Sequence, residues 1–311
     1  MFPVSFPRFA VLSWVAVLPL GLSGCGGGDS PADAGDTATP SVVLTDSYRV
    51  EYLAAETAAM EGKSTFLVRV TDAATGSVAQ SGLSISLMPL MHMTEMTHSS
   101  PLEGCSESTT AGTYRCTLFY LMPSSMNGVA MGDWELKLTI AGATDEIAIF
   151  YPEVMMAMGD TTRARLKGVT DTLTDMGGNS VSRDYYLFRS ELSGVPGSYS
   201  FELFVAAKES MMSFPALTST TVLNAGDMNS ELTVVSVLVE VSSDASHWLA
   251  ATEEGGGYWR ATGLDGLSAG QTGELYVRLS VNGEQKTTNG LSPDGVNGYA
   301  TFIVTPASAT M

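Results

Sequence analysis

Positive charge is scarce in this chain. Fifteen Lys and Arg stand against 33 Asp and Glu, a formal net charge of −18 over 311 residues. A field of that sign repels phosphate backbones, which argues against nucleic acid as a partner. Charged residues of both signs make up only 15% of the chain. A convincing long helical period is also missing, so helices are not expected to build the fold. Histidine and cysteine number three each, and no acid/base or nucleophile constellation survives inspection, so the chain is not read as an enzyme. Gly266-Leu267-Ser268-Ala269-Gly270 matches G-x-S-x-G, but it leads into a strand pattern where a nucleophile elbow needs a helix. What the chain does have is apolar residues, 44% of the total, and 17 methionines. A chain of this length and apolar content can bury sizeable cores and form two domains.

The N-terminal stretch resembles a lipoprotein signal peptide. Arg8 supplies the positive charge, and residues 9–21 are apolar, interrupted by Pro19, and too short to span a bilayer. Leu22-Ser23-Gly24-Cys25 then matches the lipobox. The resemblance implies removal of residues 1–24 and a thioether-linked lipid on Cys25. Acyl chains hold a protein at a membrane with ~0.8 kcal/mol per buried CH₂. Gly26, where Asp would signal retention at the inner membrane, favours the outer membrane facing the periplasm. Residues 25–42, poor in apolar side chains, read as the lipidated Cys and a flexible tether. In an oxidising compartment the remaining pair, Cys105 and Cys116, is expected to form a disulfide. They flank a hairpin connection through Thr110-Ala111-Gly112.

Beyond the tether, β signals dominate. Residues 64–70, 83–87, 134–140, 199–205, 232–241 and 275–281 read as strands separated by Gly, Asp and Asn turns. Three short echoes keep their order along the chain: residues 62–70 with 197–205, 112–117 with 257–262, and 132–138 with 272–279. The fold expected is all-β, with two tandem immunoglobulin-like β-sandwiches over 43–153 and 160–306, the second a divergent repeat. Pro152 and the polar run 159–163 mark the boundary.

Residues 88–101 hold four methionines and two of the three histidines. Thioether sulfur is a soft donor and imidazole an intermediate one, a combination suited to copper rather than to Mg²⁺, Ca²⁺ or Mn²⁺. In an extended segment Met91 and Met93 share one face and His92 takes the other. With a turn at Thr94-Glu95, Met91, Met93 and Met96 would converge and His98 would close the site. His92 and Met88 are the outlying candidates. The competing reading is that these methionines fill irregular gaps at a sandwich edge.

The pattern Met88-Pro89, Met91-His92-Met93, His98, Gly112-Thr113-Tyr114, Met122-Pro123 and Gly132-Asp133-Trp134 resembles the YtkA-like family and the related periplasmic part of FixH-like proteins. The resemblance spans residues 45–140 and implies a small immunoglobulin-like sandwich, with copper as cofactor in some members. A copper-handling or oxidase-assembly protein of the envelope would then be the partner, beside the membrane itself. The cysteine pair and residues 124–130 depart from the family pattern. The rival reading is a structural or protein-interaction lipoprotein without metal. Asp171, Asp175 and Asn179 are too widely spaced for a calcium loop and read as a solvated turn. His247 reads as a packed strand-end residue. Tyr185, Tyr186, Tyr258, Trp259 and Trp134 read as core aromatics.

Overall fold

The computed structural model describes residues 41–54, 58–78, 82–175 and 177–308, which all belong to one compact unit. The expected signal peptide, the expected lipidation site Cys25 and residues 26–40 of the expected tether lie outside the described residues. The chain is all-β: no helix occurs among the described residues.

The first half contains β1 (Ser41–Leu44), β2 (Tyr48–Ala54), β3 (Gly62–Asp72), β4 (Ile85–His92), β5 (Thr97–His98), β6 (Leu102–Glu107), β7 (Thr113–Tyr120), β8 (Ser125–Met126), β9 (Val129–Ala130), β10 (Asp133–Ile140) and β11 (Glu146–Phe150). They form one sheet in the order β1-β2-β3-β7-β6, a second in the order β11-β10-β4-β5, and the small hairpin β8-β9. The inward residues of the two large sheets make one core, including Phe66, Val68, Tyr114 and Leu118 from the first and Leu87, Met91, Trp134 and Leu136 from the second. Cys105 faces Cys116 across β6 and β7, and the two are joined by the expected disulfide.

The second half contains β12 (Arg163–Thr174), β13 (Ser180–Val195), β14 (Ser198–Ala207), β15 (Val222–Leu223), β16 (Leu232–Thr233), β17 (Val237–Ser242), β18 (Leu249–Ala250), β19 (Thr252–Gly255), β20 (Tyr258–Leu264), β21 (Gly273–Val281), β22 (Glu284–Gln285) and β23 (Ala300–Val304). One sheet runs β12-β13-β14-β20-β19; the other runs β18-β17-β21-β22, with β23 also on β21. A second core lies between them, including Phe201, Leu203 and Trp259 from one sheet and Val241, Val277 and Phe302 from the other. The three sequence echoes fall on strands in matching positions: β3 and β14 are central in their sheets, β7 and β20 lie next to them, and β10 and β21 occupy matching places in the opposing sheets.

Strand boundaries differ from expectation in several places, among them the expected 83–87, where β4 runs Ile85–His92. Residues 232–241 divide into β16 and β17, because the Asn282 side chain accepts the amides of Val235 and Ser236 at 2.8 and 3.2 Å and draws the chain out of the ladder. The long strands β12 and β13 were not expected: β12 is interrupted by Arg, Lys, Asp and Thr, and the apolar run Tyr185–Phe188 of β13 is flanked by polar residues.

β12 is bulged between Lys167 and Thr172. Gly168 permits this, since a Cβ there would stand 2.2 Å from the Asp171 carbonyl oxygen. The bulge turns Asp171 inward to meet Arg183 at 3.0 Å and Lys286 at 3.3 Å, so the expected solvated turn survives only at Asp175 and Asn179. Lys286 also binds Glu284 at 2.8 Å. Burial opposes ionisation of Glu284, but Lys286, the Thr170 hydroxyl and the Val169 amide outweigh it and lower its carboxyl from 4.5 to about 2. A depressed carboxylate stabilises the fold fully above its ordinary value, and the contribution is lost as pH falls through the lowered one. Glu284→Gln should therefore flatten the loss of stability between about pH 4.5 and pH 2, read by urea midpoints across that range.

Candidate metal centre

β4 alternates strictly at its informative end: Met88 and His92 are exposed, while Met91 is fully buried. The chain turns at Thr94-Glu95, closed by the Met93 amide donating to the Met96 carbonyl at 2.9 Å. β5 then sets His98 opposite Met91, and on the other side of β4 Trp134 pairs with Met91. Period-two alternation makes this an inward row of His98, Met91 and Trp134. Gly132 lets the 131–133 segment close over it: a Cβ there would stand 2.5 Å from the His92 carbonyl oxygen and 3.1 Å from the Met91 Cε.

His98 is buried and packs edge-on against Trp134 with ring centroids 5.6 Å apart. Its Nδ1 lies 2.7 Å from the Ser99 carbonyl oxygen, which can only accept, so Nδ1 carries the hydrogen. Burial lowers the pKa of the ring and the Lys208 charge lowers it further, against the opposing pull of the Ser99 carbonyl. The neutral tautomer thus presents a bare Nε2, and 3.4 Å away it faces the Met122 Sδ. The Trp134 indole N–H donates to the Met122 carbonyl at 3.0 Å and fixes that residue's backbone. Two lone-pair donors, nitrogen and sulfur, therefore face each other with no proton between them. Nitrogen and sulfur ligands bind one ion at about 2.1 and 2.3 Å, and the observed gap is smaller than the sum of those two distances. The donors present fit a soft ion.

Of the residues expected to ligate, Met91, Met93 and His98 lie on the core side, Met93 partly buried against the core. Met88 and Met96 are 49% and 50% exposed, and exposed His92 bonds Glu135 at 3.1 Å on the opposite face. The six do not form one cage, because adjacent strand residues point to opposite faces. Met122, not among the expected donors, is the thioether that faces His98; its place in the Met122-Pro123 pair was a signal for it. Among the described residues no group of three or more His, Cys, Asp and Glu could hold a metal ion.

His98 and Met122 line a cavity of 370 Å³ at the seam between the two halves, with Met211, Lys208, Tyr186 and Phe214 from the second half. Tyr186 and Tyr258 belong to this seam rather than to a sandwich core, packing on Phe119, Phe188, Phe204 and Phe214. Tyr185, Trp259 and Trp134 are buried core aromatics as expected. His247 is a correction: its side chain is 90% exposed and pairs with Asp244 at 2.7 Å, because the turn carrying it points into solvent. Residues 266–270 form the turn between β20 and β21.

No protein-family pattern matches the chain, and no curated protein matches it. Among solved structures, an endo-fucoidan hydrolase of glycoside hydrolase family 107 aligns at TM-score 0.18 and 10% identity. The alignment covers 79% of this chain and 37% of that one.

Proposed function

We propose that this is a lipid-anchored envelope protein that binds copper as Cu(I), for storage or delivery, through its first half. The reading rests chiefly on one observation: an imidazole whose Nδ1 is tied to a carbonyl, with its free Nε2 facing a thioether at 3.4 Å. Thioethers and neutral imidazole are polarizable and uncharged, so they suit a soft monovalent ion. Met91, beside His98 on the ladder, is the nearest further donor by register. The lipobox at Cys25 and the oxidised Cys105–Cys116 pair fit an exported location. A copper-handling or oxidase-assembly protein is the partner class that such a carrier would serve.

The test is a Cu(I) titration of the mature chain against a competing chromophoric chelator. Met122→Leu and His98→Phe should each weaken binding by about tenfold or more, equivalent to ~1.4 kcal/mol. Met88→Leu and His92→Ala, on the opposite face, should leave it unchanged. If Met122→Leu holds copper as tightly as wild type, the methionines are packing residues. The exposed thioethers of Met88 and Met96 would then favour an adaptable protein-docking surface.

A further inference from the structure

The open cavity beside His98 and Met122 is flanked by a hairpin from the other half of the chain, and that hairpin carries Met211. The Ser99 amide donates to the Met211 carbonyl at 2.8 Å, so the residue after His98 and the tip of the hairpin are bonded directly. The tip is held from several sides. The Glu209 carboxylate accepts the Asn224 amide and the Ser213 hydroxyl, each at 2.6 Å, and the Asn224 side chain donates to the Glu209 carbonyl at 3.1 Å. Phe214 is buried and stacks edge-on against Tyr186 at 5.8 Å. Met211 is half-buried and lines the cavity, whereas its neighbour Met212 is exposed.

We infer that Met211 is a third donor to the ion held by His98 and Met122, so that the copper site is complete only when the two halves are packed together. The inference rests on the Cu(I) reading above. The charges around the cavity set the class of ion. Arg163 is paired with Glu61 at 2.7 Å, and Arg165 reaches Asp184 at 3.7 Å. Lys208 has no carboxylate partner among the described residues and faces the same cavity. Its repulsion falls twice as heavily on a divalent ion as on a monovalent one. A site with thioethers, one imidazole and an uncompensated ammonium group therefore selects Cu(I) or Ag(I) over Cu(II) and Zn(II).

The experiment uses the mature full chain loaded with Cu(I), with X-ray absorption to count sulfur ligands and chelator competition to rank affinity. Met211→Leu should lower the sulfur count by one and weaken binding about tenfold, while Met212→Leu changes neither. Circular dichroism of both variants checks that the fold is retained, as expected for two conservative changes at surface-accessible positions. The inference is overturned if Met211→Leu keeps the wild-type sulfur count while Met122→Leu loses a sulfur. If the wild-type chain binds no Cu(I) at all, the copper reading fails first and this inference with it.

Discussion

Phe119→Ala is expected to destabilise the protein by about 3–5 kcal/mol and to uncouple its two halves. Phe119 sits on β7, yet its side chain belongs to neither sandwich core. It stacks on Phe204 of β14 with centroids 3.9 Å apart and lies 5.1 Å from Phe188 of β13. Burial along these strands shows why the contact matters. From Cys116 to Tyr120 every residue is buried, and so is every residue from Phe201 to Ala207. A sheet with one solvated face alternates buried and exposed positions; consecutive burial means both faces are covered. The outer faces of β7 and β14 meet at the stack of Phe119 on Phe204. Polar contacts ring the aromatic seam: Tyr258 donates to Glu103 at 2.9 Å, and Lys63 donates to Ser190 at 2.7 Å. Removing the ring leaves a cavity that neither rigid sheet can collapse to fill. Urea unfolding followed by tryptophan fluorescence of single-tryptophan variants checks this, with Trp134 kept to report on the first half and Trp259 on the second, and Trp248 replaced by Phe in both. The expected result is a lower midpoint with separate transitions for the two reporters. A loss below about 1 kcal/mol with a single transition would show that the seam contributes little.

Arg183→Ala should be equally severe, at about 3–5 kcal/mol. The guanidinium is wholly buried. Its Nε donates to Asp171 at 3.0 Å, Nη1 to the Lys208 carbonyl at 3.3 Å and to the Asn224 side chain, and Nη2 to the Thr172 carbonyl at 3.4 Å and to the Ser230 carbonyl. One side chain thus satisfies the bulge of β12 and two separate loops, the one after β14 and the one between β15 and β16. Truncation strands buried carbonyls without donors and leaves Lys286 as the remaining cation on Asp171. Burial raises the pKa of Tyr185 most, and the Asp171 carboxylate beside it raises it further, so the phenol stays a donor to that carboxylate. Because Arg183 grips Lys208 and Asn224, which flank and brace the hairpin bearing Met211, its loss should also loosen the cavity beside His98. Chemical denaturation gives the stability change. Arg183→Lys is the informative partner variant: it keeps the charge but supplies a single donor nitrogen, and should recover only part of the loss. Full recovery by lysine would mean that charge alone matters and the multiple hydrogen bonds do not.

Much of the framework was legible along the chain. Apolar β-formers marked the strands at 64–70, 134–140, 199–205 and 275–281; at 134–140 and 275–281 they alternate, because each packs one face on a core. Cys105 and Cys116 were legible as a pair because a short turn brings antiparallel neighbours into direct opposition. The split of Met91 from His92 to opposite faces followed from the two-residue period of an extended chain, as did the turn at Thr94-Glu95 from its polar residues. These are properties of local geometry, which a short window of residues carries in full.

Other features depended on residues distant in the chain. Met122 faces His98 because β5 joins the edge of one sheet while the segment after β7 returns from the other, a register no local pattern encodes. Met96 falls outside the cluster because it closes the turn, its carbonyl accepting the Met93 amide, and its side chain stays half exposed. Arg183 and Lys286 look like surface residues until the bulge at 167–172 brings Asp171 between them. The apolar run of β14 announced a strand but not what covers it. Propensity and period act over a few residues and determine that this protein is built of sheets. Which donors meet, which charges are buried and which halves touch are decided by long-range packing, where covering one apolar face dictates the placement of every side chain on the face that meets it.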